Sequence, residues 1–589
     1  MLPDPETRGH ADLTWSENGE PRSARFGDVY FSKDDGLAES RAVFLGGCGL
    51  PDGWAGRRQF TIAELGFGTG LNIIALLDLW RREGPADGRL NVFSIEAFPL
   101  TAEEAARALA AWPEVADMAA ALIAAWPAGT PGFHRIDLPD FRATIDLAVG
   151  DAAWALEEWR GTADAWFLDG FSPALNPGMW SDAVMDGIAA RSAPGARVAT
   201  FTVAGAVRRG LSDRGFQVEK RPGHGRKRER LEAWRPEAVA TSGPPAIATA
   251  TATATVAVIG GGVAGASVAR ALKALDVPVV LIEAERPGAG GSGFPASLVT
   301  PRLDAGDAII AGFHAQALER ARALYSATPG AVIAPGVTQL AQSDRDAARF
   351  AKVATQPWWP EGEMTASEGG LRMAGALTAS PRRILDDWLD GVATITGRVA
   401  RIEHQGDTVR LLDATGAVLT EARAVIVTAG WGAADLAPAL GLKPVRGQAD
   451  WVEIDPAPEA TAWGGYVAPT GSGFLFGATH DRDQTATEVR PGDTDRNRAV
   501  LAARLPGLEE AIAATPTQAR AAIRATTGDR LPVCGALAER VWVLGGLGSR
   551  GFCVAPLLGE HLAAVVTGTP SPLPAGFAGR LSPDRLITP

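Results

Sequence analysis

Short apolar runs that stop at a glycine-rich turn and give way to helical spacing recur along the chain. "QFTIAELGFGTGLNIIALLDLWRR" reads as a strand, a turn and an amphipathic helix, and "LNVFSIEAFP" as a second strand closed by an acid. "IDLAVGDAAWALEEW", "ADAWFLDGFSP" and "ARVATFT" add further strand–loop units. Strands alternating with helical stretches predict a parallel sheet covered on both faces. Further along, "TVAVIGGGVAGASVARALKAL" with "VPVVLIEAE" makes a complete β-α-β unit. "ITGRVARIEHQGDTVRLLDATGAVLTEARAVIVTAG" predicts a three-stranded meander returning to a sheet strand. Strand-rich patches from about Pro335 to Thr526 point to an inserted, mixed α+β subdomain facing a substrate. The fold class is α/β, with two nucleotide-type sheets.

The pattern fails from Ala238 to Thr255, "AVATSGPPAIATATATAT", which is uncharged and builds neither a helical nor a strand face. This is a linker. It separates a domain at 1–237 from one at 256–589, whose nucleotide-binding parts fall at about 256–335 and 527–589, with the subdomain between them. Two domains also suit the 589 residues, since single cores rarely grow that large.

Composition narrows the class. An apolar fraction of 46% with 21% charged residues is that of a folded globular protein. No apolar run reaches the ~18 residues of a membrane span, and "MLPDPETRGHADLTW" lacks the basic-then-apolar pattern of a secretory signal. Three scattered cysteines exclude a disulfide framework and a zinc cluster, so no metal is expected and a cytoplasmic protein is the plain reading. The net charge of −12 argues against a protein that coats nucleic acid, but leaves room for a local basic groove. The dense cluster is "KRPGHGRKRER", Lys220 to Arg230, which by itself reads as a solvated loop.

The two glycine loops differ. Gly260, Gly262 and Gly265 stand in GxGxxG register after an apolar strand, and Glu283 closes the next strand, where an acid binds ribose hydroxyls. Strand, turn, helix, strand and acid together indicate dinucleotide binding. The earlier loop, Glu64-x-Gly66-x-Gly68-x-Gly70, suits S-adenosyl-L-methionine, which has no phosphate: the glycines let backbone lie against the ligand and acids serve its ammonium and hydroxyls. Glu96 is placed for the ribose and Asp151 for the loop beside the adenine. Asp169 and Phe171, in "FLDGFSP", fall at the carboxyl end of a strand, where open α/β sheets put their chemistry. Any one of these acids, taken alone, reads as a cap or a surface residue.

The second half resembles the glycine oxidase/D-amino-acid oxidase superfamily, on "VIVTAGWGA", the loop "AERPGAGGSGFPASLVTPRL" and the C-terminal "VWVLGGLGSRGFCVAPLLGEHLAAVV" with Gly546 and Gly548. The resemblance implies bound FAD. It also implies that Arg524, in "AAIRATTGDRLPVCG", pairs with a substrate carboxylate and that Arg550 lies near the flavin. A guanidinium fork suits a carboxylate because two parallel hydrogen bonds fix position and plane together.

Across nearly its whole length the chain is similar to the bifunctional tRNA 5-methylaminomethyl-2-thiouridine biosynthesis family, on "DVYFS", "ELGFGTGLN", "WFLDGFSPALNPGMW", "ATFTVAGAVRRGL", "GHGRKRE" and "GLGSRGF". That resemblance implies work on the wobble uridine (U34) of tRNA. An FAD part converts 5-carboxymethylaminomethyluridine to 5-aminomethyluridine, and a Rossmann-like S-adenosylmethionine part then methylates the amine. Asp169 is the candidate for orienting that amine or accepting its proton. Tyr30 and Phe171 serve either as walls for the base or as core aromatics. Lys220, Arg226, Lys227 and Arg228 become candidate tRNA contacts. Two rivals stay open: a small-molecule amine oxidase fused to an amine methyltransferase, and a non-catalytic tRNA-binding flavoprotein.

Overall fold

Alternate residues of the strand Gln59–Leu65 enter two different hydrophobic layers. Phe60 and Ile62 join the layer of Leu76, Leu77 and Ile145, while Ala63 and Leu65 join that of Phe93, Trp159 and Trp166. A strand buried on both sides is mostly apolar, with Thr61 and Glu64 its buried polar exceptions, which is why the sequence shows no regular alternation. The strand sits inside an eight-stranded sheet in the order Gly132–Leu138, Ala143–Val149, Arg89–Glu96, Gln59–Leu65, Ala163–Leu168, Ser192–Thr200, Glu229–Trp234, Gln217–Pro222. The middle five strands are parallel. Both edges are antiparallel: Gly132–Leu138 on one side and the hairpin of Gln217–Pro222 with Glu229–Trp234 on the other.

The computed structural model describes residues 10–17, 19–31, 35–225, 227–236 and 255–587. They form two compact units, Met1–Pro245 with Gly568–Ala575, and Ala246–Thr567 with Gly576–Pro589. Apart from Thr255, the linker read at 238–255 lies outside the described residues.

In the second unit, Val256–Ile259 lies between the parallel strands Val279–Glu283 and Ala424–Val427. Ala393–Thr396 and Val541–Gly545 extend this sheet, and antiparallel Val533–Ala538 closes its edge. The helices Val263–Ala274 and Gly551–Thr567 pack so closely that a Cβ at Gly559 would stand 2.7 Å from the carbonyl carbon of Ser267. Beside them the buried Glu560 carboxylate accepts two hydrogen bonds from Arg320, at 2.8 and 2.6 Å, and one from Arg270.

The meander is formed by Arg401–Gln405, Thr408–Leu412 and Val418–Ala422, and the chain returns directly into Ala424–Val427. A ten-stranded mixed sheet supplies the other layer. Its composition departs from the single inserted block read at about 335–526. Ser297–Val299 and Val332–Leu340 join it from upstream, while 393–427 belongs to the nucleotide-type sheet and the meander. The reason is burial: Ala424–Val427 is enclosed on every side between two parallel strands, a place only a short continuous apolar run can fill. Among the described residues, no helix is long and apolar enough to cross a membrane, and all three cysteines are buried and free.

Candidate active sites

In the first unit the chain winds outward from Gln59–Leu65 in one direction and resumes with Ala163–Leu168 on its other side. Such a reversal leaves a crevice at the carboxyl ends of the two strands. Gly66 and Asp169 stand at those ends, tied by a 3.0 Å hydrogen bond from the Asp169 N–H to the Leu65 carbonyl. Gly66 has φ +90°, and a Cβ there would fall 2.2 Å from the Asp169 carbonyl oxygen, so only glycine fits.

Glu64, wholly buried, accepts hydrogen bonds from Ser94 Oγ at 2.6 Å and Asn72 Nδ2 at 3.1 Å. Burial pushes its carboxyl up to about 8 despite both donors, with Asp169 and Glu96 adding to the rise. Asn72, in the first turn of the helix Leu71–Glu83, also donates to Asp169 Oδ2 at 2.7 Å, and its Oδ1 accepts from Ser40 Oγ at 2.6 Å. Asp169 is pushed up to about 7 by burial; the Asn72 bond and the Lys227 charge pull it down, while Glu39 and Asp28 raise it. Asn72, Ser94, Ser40 and Glu39 were not picked out from the sequence. The available signal was a polar residue, Asn72, among the apolar residues that open the helix, Leu71 to Leu77.

Glu96 accepts from the Gly68 N–H at 3.0 Å and the Phe98 N–H at 2.9 Å, and burial raises its carboxyl. Gly70 caps the helix that follows the loop. Tyr30 lies against Gly68, where a Cβ would meet its ring at 3.2 Å, and meets Phe171 edge-on at 5.2 Å. Burial, then Glu96 and Glu104, raises the Tyr30 phenol. Asp28 holds the pair in place, accepting from the N–H groups of Val29 at 2.9 Å and Ser172 at 3.1 Å. Asp151 acts as the cap of the helix Ala152–Glu158, accepting from the Trp154 N–H at 2.9 Å.

The basic cluster forms the edge hairpin and is interleaved with acids. Lys220 pairs with Glu229 at 2.8 Å, Arg221 with Glu219 at 2.6 Å, and Arg230 with Glu232 at 2.6 Å. Lys227, itself exposed, pairs with Glu39 at 2.8 Å and lies 4.1 Å from the Phe201 ring centre. Arg228 is exposed, and Arg226 lies outside the described residues.

The second unit holds a cavity of about 990 Å³ lined by Gly260, Gly262, Glu283, Arg524, Arg550, Gly546 and Gly548. Gly260 has φ +103°, and a Cβ at Gly265 would fall 1.9 Å from its carbonyl oxygen, so the helix starts pressed against the turn. The Gly261 N–H donates to Glu283 at 2.6 Å, and the Val263 N–H at the helix start donates to Ser292 Oγ at 3.0 Å. Arg524 lies over Gly447, where a Cβ would stand 2.5 Å from its guanidinium. Tyr466 and His480, which the sequence did not mark, line the same cavity and feel the Arg524 charge. Arg550 donates to Thr300 Oγ1. On the strand Gln518–Thr526, four residues before Arg524, Arg520 donates through one nitrogen to the carbonyls of Gly288 and Gly290 at 3.2 Å and to that of Ala289, pinning the second glycine-rich loop.

Both sites fit the groups read from the sequence. The first presents buried carboxyls held by neutral donors or backbone N–H groups, which gain from a cationic sulfonium ligand rich in hydroxyls. The second joins a helix start, an acid and two glycine turns around one cavity, the cradle a dinucleotide requires.

Comparison with known proteins matches residues 113–236 to an S-adenosyl-L-methionine-dependent methyltransferase family and 255–565 to an FAD dependent oxidoreductase family. The tRNA 5-methylaminomethyl-2-thiouridine biosynthesis bifunctional protein of Caulobacter vibrioides is 53% identical, covering 98% of each chain. Its counterpart in Maricaulis maris is 44% identical over 96% of this chain and 94% of its own. Among solved structures, glycine oxidase from Geobacillus kaustophilus aligns with a TM-score of 0.47 at 22% identity, over 54% of this chain and 96% of that one. The chain therefore belongs to the bifunctional tRNA 5-methylaminomethyl-2-thiouridine biosynthesis family, an S-adenosylmethionine-dependent methyltransferase and an FAD-dependent oxidoreductase on one polypeptide.

Proposed function

We propose that the two sites treat one nitrogen in succession. The cavity of the second unit receives the carboxymethylaminomethyl group of the tRNA wobble uridine, and the Asp169 crevice receives the aminomethyl group that remains. The observation carrying this reading is the Arg524 guanidinium inside the cavity lined by the dinucleotide glycines Gly260 and Gly262. A glycine attached through its nitrogen brings a carboxylate, and a guanidinium fork fixes both its position and its plane.

When bound, FAD supplies the oxidation of the carbon beside that carboxylate, and S-adenosylmethionine supplies the methyl group. Gly260, Gly262, Glu283, Gly546 and Gly548 would hold the first; Glu64, Gly66, Gly68, Glu96 and Asp151 would hold the second. Arg524 orients the acid, and Arg550, fixed by Thr300, closes the wall beside it. In the other site the amine must be uncharged to attack. Asp169, held by Asn72 and poised at about 7, takes its proton, while Tyr30 and Phe171 wall the base. Arg228 and its neighbours on the hairpin offer contacts to the phosphate backbone.

Nucleoside mass spectrometry of wobble uridine after deletion of the gene tests the assignment. The carboxymethylaminomethyl form should accumulate; unchanged methylaminomethyluridine would refute the proposal.

A further inference from the structure

Lys227 belongs to a basic run that suggests phosphate contact, yet its ammonium, though exposed, is already engaged by neighbours in the first unit. It donates to Glu39 Oε1 at 2.8 Å and sits 4.1 Å from the Phe201 ring centre, where the ring's negative face holds a cation. Phe201 directly follows the strand Ser192–Thr200, whose parallel neighbour Ala163–Leu168 is followed directly by Asp169. Glu39 precedes Ser40, whose hydroxyl fixes the Asn72 amide that binds Asp169. Lys227 and Asp169 are thus fastened to one hydrogen-bonded frame: Lys227 to Glu39, then Ser40 to Asn72 to Asp169.

Resting on the methyl-transfer reading of this crevice, we infer that Lys227 is a positioning residue for methyl transfer: anchored by Glu39 and Phe201 on the frame that holds Asp169, its positive charge favours the ionised carboxylate that receives the amine proton. The other groups facing Asp169 are Asn72 from the helix Leu71–Glu83, Glu39 from the helix Gly36–Glu39, Asp28 from its loop, and Glu64 across the shared Asn72 amide. Asp28, Glu39 and Glu64 are acidic, so Lys227 opposes their combined effect. The neighbouring charge acts in the expected direction, pulling Asp169 down from where burial pushes it. The same cation also disfavours an ammonium in the crevice, which favours the neutral, reactive amine.

The test is the pH dependence of kcat/KM for methylation of tRNA bearing 5-aminomethyl-2-thiouridine, measured on the full chain. Dividing the variant profile by that of the wild type cancels the titration of the tRNA amine. Lys227→Met should move the acid limb up by about one pH unit, lowering the ratio about tenfold at pH 6 and less than about twofold at pH 9. Lys227→Arg should restore the wild-type limb. Glu39→Gln removes a negative neighbour and should move the limb the opposite way, which keeps the inference falsifiable if Lys227→Met does not fold. A KM raised equally at every pH, with a shallower salt dependence and an unmoved limb, would make Lys227 a phosphate contact and overturn the inference. Wild-type protein that methylates no such tRNA would instead remove the reading of the crevice itself.

Discussion

Replacing Asp169 by Asn isolates proton transfer from geometry. The Asn72 amide donates to Asp169 Oδ2 at 2.7 Å, and an asparagine carbonyl oxygen in that position still accepts this bond. What disappears is a group held at about 7, close to working pH and therefore suited to accept a proton from an amine. An alkylamine near the lysine value of about 10.4 is neutral for only about one molecule in a thousand at pH 7.4. Asp169 does not remove that cost, but as a positioned base it accepts the proton as the bond to the methyl group forms, a contribution of about 10²–10⁴-fold, or about 3–5 kcal/mol of transition-state stabilisation. Single-turnover transfer of a labelled methyl group to aminomethyl-tRNA between pH 6 and 9 measures it. Oxidation of the carboxymethylaminomethyl form, carried out in the other unit, should be unchanged in the same preparation. Asp169→Ala also deletes the acceptor for Asn72 and should accumulate the aminomethyl nucleoside in cells. Methylation by Asp169→Asn within about threefold of wild type across the pH range would refute the role given to Asp169.

Arg524→Ala should weaken the oxidative step by about 2–5 kcal/mol while leaving methylation of preformed aminomethyl-tRNA intact; an unchanged rate of flavin reduction by the tRNA substrate would remove Arg524 from the site. Glu64, raised from 4.5 to about 8 by burial, binds its proton more tightly in the folded chain than in the unfolded one. Its contribution to stability is therefore full below about pH 4.5 and is lost as the pH climbs towards about 8. Glu64→Gln should flatten that slope, so chemical unfolding of the first unit without ligand should show a gain at pH 8–9 that vanishes near pH 4; an equal change at both would contradict the assignment. Asn72→Ala withdraws one amide from two buried carboxyls, costing about 2–3 kcal/mol in unfolding and shifting the acid limb of methylation to higher pH. Gly66→Ala should abolish S-adenosylmethionine binding in equilibrium dialysis, because its methyl group would collide with the Asp169 carbonyl.

Elements whose burial leaves a one-dimensional trace were legible from the sequence. Gln59–Leu65 and Val256–Ile259 are covered on both faces and so read as a mostly apolar and a wholly apolar run, each stopped by glycine. Their loops were legible for the same reason, since the close approach of Gly66 to Asp169 and of Gly265 to Gly260 admits no side chain. Features created by neighbours distant in the chain were not. Lys220 to Arg230 looks like a uniform basic patch until the hairpin sets Glu229 beside Lys220 and the fold brings Glu39 to Lys227. Asn72 is a single uncharged amide, and its hold on Glu64 and Asp169 exists only once three elements converge. Tyr466 and His480 enter the cavity from the mixed sheet, whose strands come from scattered parts of the chain and carry no motif.

The two arginines of the strand Gln518–Thr526 have a consequence for the order of events. Residues four apart on a strand share a face, so the extended segment that carries Arg524, the proposed partner of the substrate acid, also grips the Gly288–Gly290 carbonyls through Arg520. Loosen that grip and the fork for the acid shifts with it. If Arg524 reads the acid as proposed, assembly of the nucleotide cradle and readiness for the modified nucleoside are mechanically coupled, and a chain emptied of flavin should be poor at recognising its first substrate as well as unable to oxidise it.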